Sequence, residues 1–284
     1  MDFRRVTVER DLLGSYVNLM QTCFPGSRKY NINYLQWLYV DNPHGQVVGY
    51  DAWDDDHLAA HYVCIPTLAQ IEGTPVKALL SLNTATHPNY QGRGLFTKLA
   101  ERTYATASAE GINSIYGVAN ANSTPGFVRK LGFQLVEPLD AKVGLGFLHI
   151  DPAVVESNAQ FKRIWTRSNL AWRCANPNNP IVTRNLDMRT QFHATAVQNF
   201  LSIYAELSAT NFIDSSDNSS TSLRPWRLYI GLEPLGAIHD RFYADIPQRF
   251  RPSPLNFIYR SLTTKTEKLE KGNISFSFLD FDAY

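Results

Sequence analysis

His87-Pro88-Asn89-Tyr90-Gln91-Gly92-Arg93-Gly94-Leu95-Phe96 is the stretch that decides how this chain is read. It follows an apolar segment, Val76–Thr86, that reads as a strand. It opens a helical pattern, Gly94–Glu110, closed by Gly111. Glycines at 92 and 94 let the backbone turn successive N–H groups toward one point. A helix N-terminus adds a partial positive charge and unpaired donors. Together these features make a seat for a pyrophosphate. Neither common nucleotide fingerprint fits: the Lys-Ser/Thr pair of a P-loop is missing, and the spacing is not G-x-G-x-x-G. Taken alone, the stretch leaves open a tight strand-to-helix turn that binds nothing.

Working outward toward the N-terminus, Phe3–Val8 alternates as a short strand and Asp11–Thr22 spaces its apolar residues as a helix. Pro25 and Gly26 break that helix. A second short helix carries Tyr34, Leu35 and Leu38 and ends before Asn42-Pro43. Strands are expected at Gln46–Trp53 and Ala59–Ala69, with turns at Asp54-Asp55-Asp56 and Glu72-Gly73-Thr74-Pro75. Beyond the decisive stretch the pattern gives a strand at Asn113–Ala119, a short helix at Thr124–Leu131, and strands at Phe133–Glu137 and Lys142–Leu148. Asp151–Asn158 reads as a junction with some helical character. The second half is less regular. It has apolar stretches at Phe200–Leu207 and Leu228–Leu232, a polar surface loop at Asp214–Ser222, and a strand-like run at Ile274–Phe281. One echo links the halves: Leu35-Gln36-Trp37 leads to Asn42-Pro43, and Leu170-Ala171-Trp172 leads to Asn176-Pro177. It is either two unrelated helix-to-turn junctions or the trace of a degenerate copy.

The decisive stretch resembles the acyl-CoA-binding motif of the GNAT superfamily, Gln/Arg-x-x-Gly-x-Gly/Ala after a strand. Gln91, Gly94 and the preceding His87-Pro88 match, and Phe96 departs from the final small residue. Asn120-Ala121-Asn122-Ser123 and Lys130-Leu131-Gly132-Phe133 resemble the later signature of the same superfamily. The resemblance implies an α/β (α+β) fold: an N-terminal GNAT domain with a mixed, mostly antiparallel sheet flanked by helices, and a second, degenerate GNAT-like domain. It further implies acyl-CoA as cosubstrate. Thr84, Ala85 and Thr86 would bond the pantetheine arm through their backbone. The N–H groups of Gln91, Gly92, Arg93, Gly94, Leu95 and Phe96 would hold the pyrophosphate, and Asn120 would touch the pantetheine from the fifth strand. The acyl carbonyl would sit between the fourth and fifth strands, where a backbone N–H can stabilise the oxyanion.

Many GNAT enzymes place a tyrosine acid shortly before the Gly-Phe pair, and here that place is Val128 beside Phe127. Loss of a general acid costs ~10²–10⁴-fold at most, and a thiolate leaves unaided. No base stands out. His61 on the third strand and Asn83 near the end of the fourth are the candidates for contact with the substrate, and the catalytic residues stay unassigned.

The second half resembles two-domain GNAT enzymes that acylate amino sugars carried on nucleoside diphosphates. The residues are Asn169–Pro177, Arg251-Pro252-Ser253-Pro254-Leu255-Asn256 and Phe278-Leu279-Asp280-Phe281-Asp282. This implies residues 1–150 as the acyl-CoA-binding domain and 151–284 as a GNAT-like domain that completes the acceptor site. The acceptor would be a dTDP- or UDP-type amino sugar of surface polysaccharide biosynthesis, lodged between the halves. Arg163, Arg167, Arg173, Arg224, Arg227, Arg241, Arg249, Arg251 and Arg260 lean toward an anionic acceptor, and Trp172 offers a ring for a base. Another amine, such as an aminoglycoside, peptide or lysine, is the alternative, and a non-catalytic acyl-CoA sensor is a third.

Bulk properties narrow the classes. With 27 basic and 26 acidic residues the net charge is +1, which favours neither a nucleic acid nor a membrane surface as partner. The chain has no apolar run near the ~20 residues of a membrane span, and MDFRRVTVERDLL lacks the apolar core of a signal peptide, so a cytoplasmic protein is expected. Cys23, Cys64 and Cys174 share no metal-ligand spacing, so no metal is expected.

Overall fold

The computed structural model describes residues 1–186, 189–196, 201–208, 225–239, 242–251, 253–263 and 268–282. The expected polar loop Asp214–Ser222 lies outside the described residues, as do Phe200, Arg224, Arg241 and Pro252. The chain divides into two compact units. The first comprises residues 1–68, 76–135 and 258–268; the second comprises 69–75, 136–257 and 269–284. The fold is mixed α/β, as expected.

The first unit begins with strand β1 (Asp2–Arg5), helix α1 (Arg10–Cys23) and the single turn α2 (Ile32–Leu35), which runs into a π-helical turn, Gln36–Val40. Asn31 caps α2 by accepting the Tyr34 N–H. Strands β2 (Val48–Asp54), β3 (His57–Ile71) and β4 (Thr74–Thr86) follow, then helix α3 (Leu95–Ala109), strand β5 (Ser114–Ala119) and helix α4 (Thr124–Leu131). The sheet order is β1-β2-β3-β4-β5, and residues 258–261 return late in the chain to lie beside β5. Strand alternation sorts side chains to two faces. On β2, Tyr50 reaches Thr106 of α3, whereas the next residue, Asp51, reaches Tyr16 of α1. On β3, Tyr62 meets Phe96 and Tyr104 of α3, whereas His61 stacks on Tyr16. Helix α1 therefore covers one face and α3 the other. Leu79, Leu95, Leu99, Ile115, Phe127 and Phe133 form the core beneath α3.

β4 and β5 run parallel from Ala78↔Ser114 to Ser81↔Gly117. Beyond that register β4 continues to Thr86 and β5 to Ala119. Asn83 lies in this continuation with φ +43°, a left-handed conformation that asparagine tolerates better than most residues.

The second unit holds most of β6 (Gln134–Pro138), then β7 (Asp140–Leu145), helix α5 (Pro152–Asn158), strand β8 (Phe161–Arg163) and helix α6 (Arg167–Cys174). Strands β9 (Val182–Leu186), β10 (Arg189–Ala196), β11 (Leu201–Ser208), β12 (Trp226–Leu232) and β13 (Tyr243–Asp245) follow, then β14 (Asn256–Ser261), of which only residues 256–257 belong to this unit, and β15 (Ile274–Ser277). Its strand order is β8-β15-β12-β11-β10-β9, with β7 pairing β12 and β13. Asp151–Asn158 is mostly helix, because Asp151 accepts the N–H groups of Ala153 and Val154. The run Ile274–Phe281 is a strand only to Ser277. There a Ser277–Asp280 capping box turns the chain into a 3₁₀ turn. The echo has a local basis. Asn42 and Asn176 are both buried, and each accepts the N–H two residues on, from His44 and Asn178.

Candidate active site

The decisive stretch folds as a short 3₁₀ turn, Pro88–Tyr90, followed by two left-handed glycines, Gly92 at φ +77° and Gly94 at φ +71°. Gly94 is the N-cap of α3. A Cβ built on either glycine meets no atom within 4 Å, so open space lies over the helix N-terminus. The first N–H groups of α3 have no intrahelical acceptor, as at any helix start, and open onto this seat. His87 shapes the turn: its Nδ1 accepts the Asn89 N–H at 3.2 Å. Arg93 is exposed, donates to the Asn89 carbonyl and lies over the Tyr90 ring. Phe96 packs edge-on against Phe127 at 5.2 Å, and its Cε1 would lie 3.2 Å from a Cβ at position 126. Gly126 thus makes room for the bulky residue that departs from the family pattern.

At the ends of the parting strands, Ala85 is buried against Leu19 and Met20, while Thr84 and Thr86 are half-buried. The Thr86 N–H is hydrogen-bonded to the Cys23 thiol, whose pKa burial raises. Asn120 organises the turn after β5. Its Oδ1 accepts from Asn122 N, Ser123 N and Ser123 Oγ. Val128 stands on α4 as the sequence places it.

His61 and Asn83 meet through residues that the sequence did not single out. His61 is fully buried, and its Nδ1 lies 2.6 Å from Oδ1 of Asp51, its direct cross-strand partner on β2. Its Nε2 lies 2.9 Å from the Tyr39 hydroxyl, which accepts from Asn83 Nδ2 at 3.1 Å. The Tyr16 hydroxyl donates to the second Asp51 oxygen at 2.9 Å and also reaches the Thr7 carbonyl. The Tyr16 ring stacks on His61 with centroids 4.3 Å apart. Burial, with the Asp51 carboxylate beside it, pushes the Tyr16 hydroxyl far above its usual pKa, so it stays a donor. The polarity of the chain follows. A carboxylate only accepts, so His61 donates from Nδ1, and a neutral imidazole then accepts at Nε2 from the Tyr39 O–H. Tyr39 is delivered by the π-helical turn, a distortion frequent at functional sites. Tyr39, Asp51 and Tyr16 escaped the sequence reading. The available signal was Asp51, a lone carboxylate in the otherwise uncharged run Val48–Trp53, facing a strand that carries a histidine.

In the second unit, Trp172 and Phe281 are buried core residues, so Trp172 offers no free ring face for a base. Several of the arginines serve backbone carbonyls. Arg173 donates to those of Phe278, Leu279 and Phe281; Arg227 to Gly146; Arg251 to Leu139 and Ile246. In the first unit Arg260 donates to Leu131. A cavity of about 410 Å³ within the second unit is lined in part by Arg163, Arg189, Glu206, Glu233 and Asp280. Burial, with Asp280 and Glu206 nearby, pushes Glu233 up to about 8. Among the described residues no group of three or more His, Cys, Asp or Glu is placed to hold a metal, and no helix is long and apolar enough to cross a membrane.

Comparison with known proteins agrees with this geometry. Solved structures match nearly the whole chain in fold. They include a GCN5-related N-acetyltransferase from Kribbella flavida (TM-score 0.61, 13% identity, 91% of this chain and 70% of that one). Eis1 from Mycobacterium abscessus matches at a TM-score of 0.60 and 12% identity, over 93% of this chain and 75% of that one. A probable N-acyltransferase from Enterococcus faecalis V583 matches at 0.57 and 11% identity, over 92% and 73%. At these identities the likeness is one of fold. No curated protein matches in sequence. In sequence, residues 3–136 match the family described as acetyltransferase (GNAT) domain. This match covers a little under half of the chain, and acyl-CoA-dependent N-acyl transfer is the general activity that it supports.

Proposed function

We propose that the chain transfers an acyl group from acyl-CoA to the amine of a small-molecule acceptor. The carrying observation is the pair of left-handed glycines under open space at the N-terminus of α3, next to the point where β4 and β5 leave their parallel register. In this reading the backbone from Gln91 to Phe96 holds the pyrophosphate, Thr84–Thr86 and Asn120 guide the pantetheine, and the thioester lies between the strand ends. The amine attacks the thioester carbonyl, the C–S bond breaks, and CoA leaves as a thiolate that takes up a proton. Preorganised N–H groups around the developing oxyanion contribute the electrostatic stabilisation. A thiol-release assay with acetyl-CoA and a panel of amines tests this; release without any amine dependence would contradict it.

The finer proposal for the acceptor is an amino sugar on a nucleoside diphosphate. Support comes from the resemblance of Asn169–Pro177, Arg251–Asn256 and Phe278–Asp282 to enzymes of that kind. One observation favours the second reading, an amine without a diphosphate: Arg173, Arg227, Arg251 and Arg260 are committed to carbonyl oxygens. A thermal-shift screen with UDP, UDP-glucosamine and an aminoglycoside separates the two. Saturation at 100 times the dissociation constant stabilises by ~2.7 kcal/mol. Stabilisation by the aminoglycoside and none by either nucleotide moves the assignment to the second reading. Tight acetyl-CoA binding with no turnover on any amine would favour a sensor.

A further inference from the structure

The buried chain Asp51–His61–Tyr39 ends on Asn83, and its polarity has a consequence for the acceptor. Asn83 is the half-buried member, placed where β4 has left its register with β5, and among the described residues its amide is anchored through Nδ2 on the Tyr39 hydroxyl. With the donor end held inward, the Oδ1 end faces away from Tyr39. We propose that Asn83 receives the acceptor's amine N–H on Oδ1, and that Asp51, His61 and Tyr39 are positioning residues that fix which end of the Asn83 amide is presented. The proposal rests on the reading of the gap between the β4 and β5 ends as the reaction site.

The mechanism is hydrogen-bond arithmetic. An amide can present either a carbonyl or an NH₂, and only the carbonyl can accept from an amine. Tyr39 decides between them, because its single proton goes to His61 Nε2 and its lone pairs are left for Asn83 Nδ2. The Asp51 carboxylate keeps the His61 proton on Nδ1 and so keeps Nε2 an acceptor. The identity of residue 83 follows: it must adopt φ +43° and carry a donor and an acceptor on one planar group, which asparagine does.

The test reads the ¹⁵N signals of the His61 ring and the Asn83 side-chain amide of the whole chain, in the wild type and in Tyr39→Phe, which keeps the ring and its packing. Loss of the hydroxyl should shift both sets of signals and speed the exchange of the Asn83 NH₂ protons with solvent. Asn83 signals that are the same in Tyr39→Phe as in the wild type would overturn the proposal. Steady-state kinetics with UDP-glucosamine as the acceptor probe and acetyl-CoA as donor supply the second readout. Tyr39→Phe and Asn83→Gly, the latter compatible with the left-handed backbone, should each raise KM for the amine about tenfold and leave KM for acetyl-CoA unchanged. Asn83 signals that change in Tyr39→Phe, without turnover on any amine, would remove the functional reading and keep the hydrogen-bonded chain. Turnover with Asn83 signals unchanged in Tyr39→Phe would remove this proposal and keep the function.

Discussion

Phe96 and Gly126 show how far a single position can be read. The family pattern asks for a small residue where Phe96 stands, and the space appears one element away, at Gly126 on α4, where a Cβ would come within 3.2 Å of the ring. Gly126→Ala sets a gain in helix propensity against crowding of the Phe96 ring, so it should be more favourable by about 1 kcal/mol in a Phe96→Leu chain than in the wild type. Chemical denaturation of the four proteins of that cycle measures the coupling, and additive effects would contradict it. Val128 marks the missing acid in the same helix. Val128→Tyr should leave turnover roughly unchanged, and a gain on the order of 10²-fold would show that protonation of the leaving thiolate limits the rate. His61 on the third strand and Asn83 near the end of the fourth were legible in the sequence as chemical types. Their connection was not, because it runs through Tyr39, whose place depends on a π-helical turn that 3.6-residue periodicity does not reveal.

Elements differ in how openly they declare themselves. α1, α3 and the strands of the first unit follow apolar periodicity closely, since each is amphipathic or buried on a regular face. β9 and β10 did not stand out, because β10 buries Gln191 and His193 as well as Phe192, and a strand with polar buried positions gives no alternation. The 3₁₀ turn after β15 is held from α6 by Arg173, buried and bonded to three carbonyls. Arg173→Met should leave those carbonyls unsatisfied and cost about 2–3 kcal/mol or more, read as a lowered denaturation midpoint. Glu233, which lies just past β12, gives the second unit a pH signature. Its folded pKa of about 8 lies above the ~4.3 of a free glutamate, so the folded form holds a proton that the unfolded chain has released. Its contribution is present below the unfolded pKa and is lost as pH rises through the folded one. Stability should therefore fall between about pH 5 and about pH 8, and Glu233→Gln should flatten that slope in urea denaturation.

At the scale of the whole molecule the sequence carried the first half better than the second. The strand, glycine turn and helix of the first unit are a local device with a local signature, while the second unit is held by long-range clamps such as Arg173 to Leu279 and Trp165 to Asp280. Such contacts leave no pattern in a window of residues. The strand-to-helix glycine turn occurs once in the sequence, at Thr84–Phe96, so one acyl-CoA should bind per chain. The most direct test is calorimetric titration of acetyl-CoA into the wild type and into Gly94→Val. A valine at φ +71° strains the turn and fills the space over the α3 N-terminus, so one site per chain should be seen in the wild type and a strongly weakened one in the variant. Unchanged affinity in Gly94→Val, or two equivalent sites in the wild type, would contradict the account.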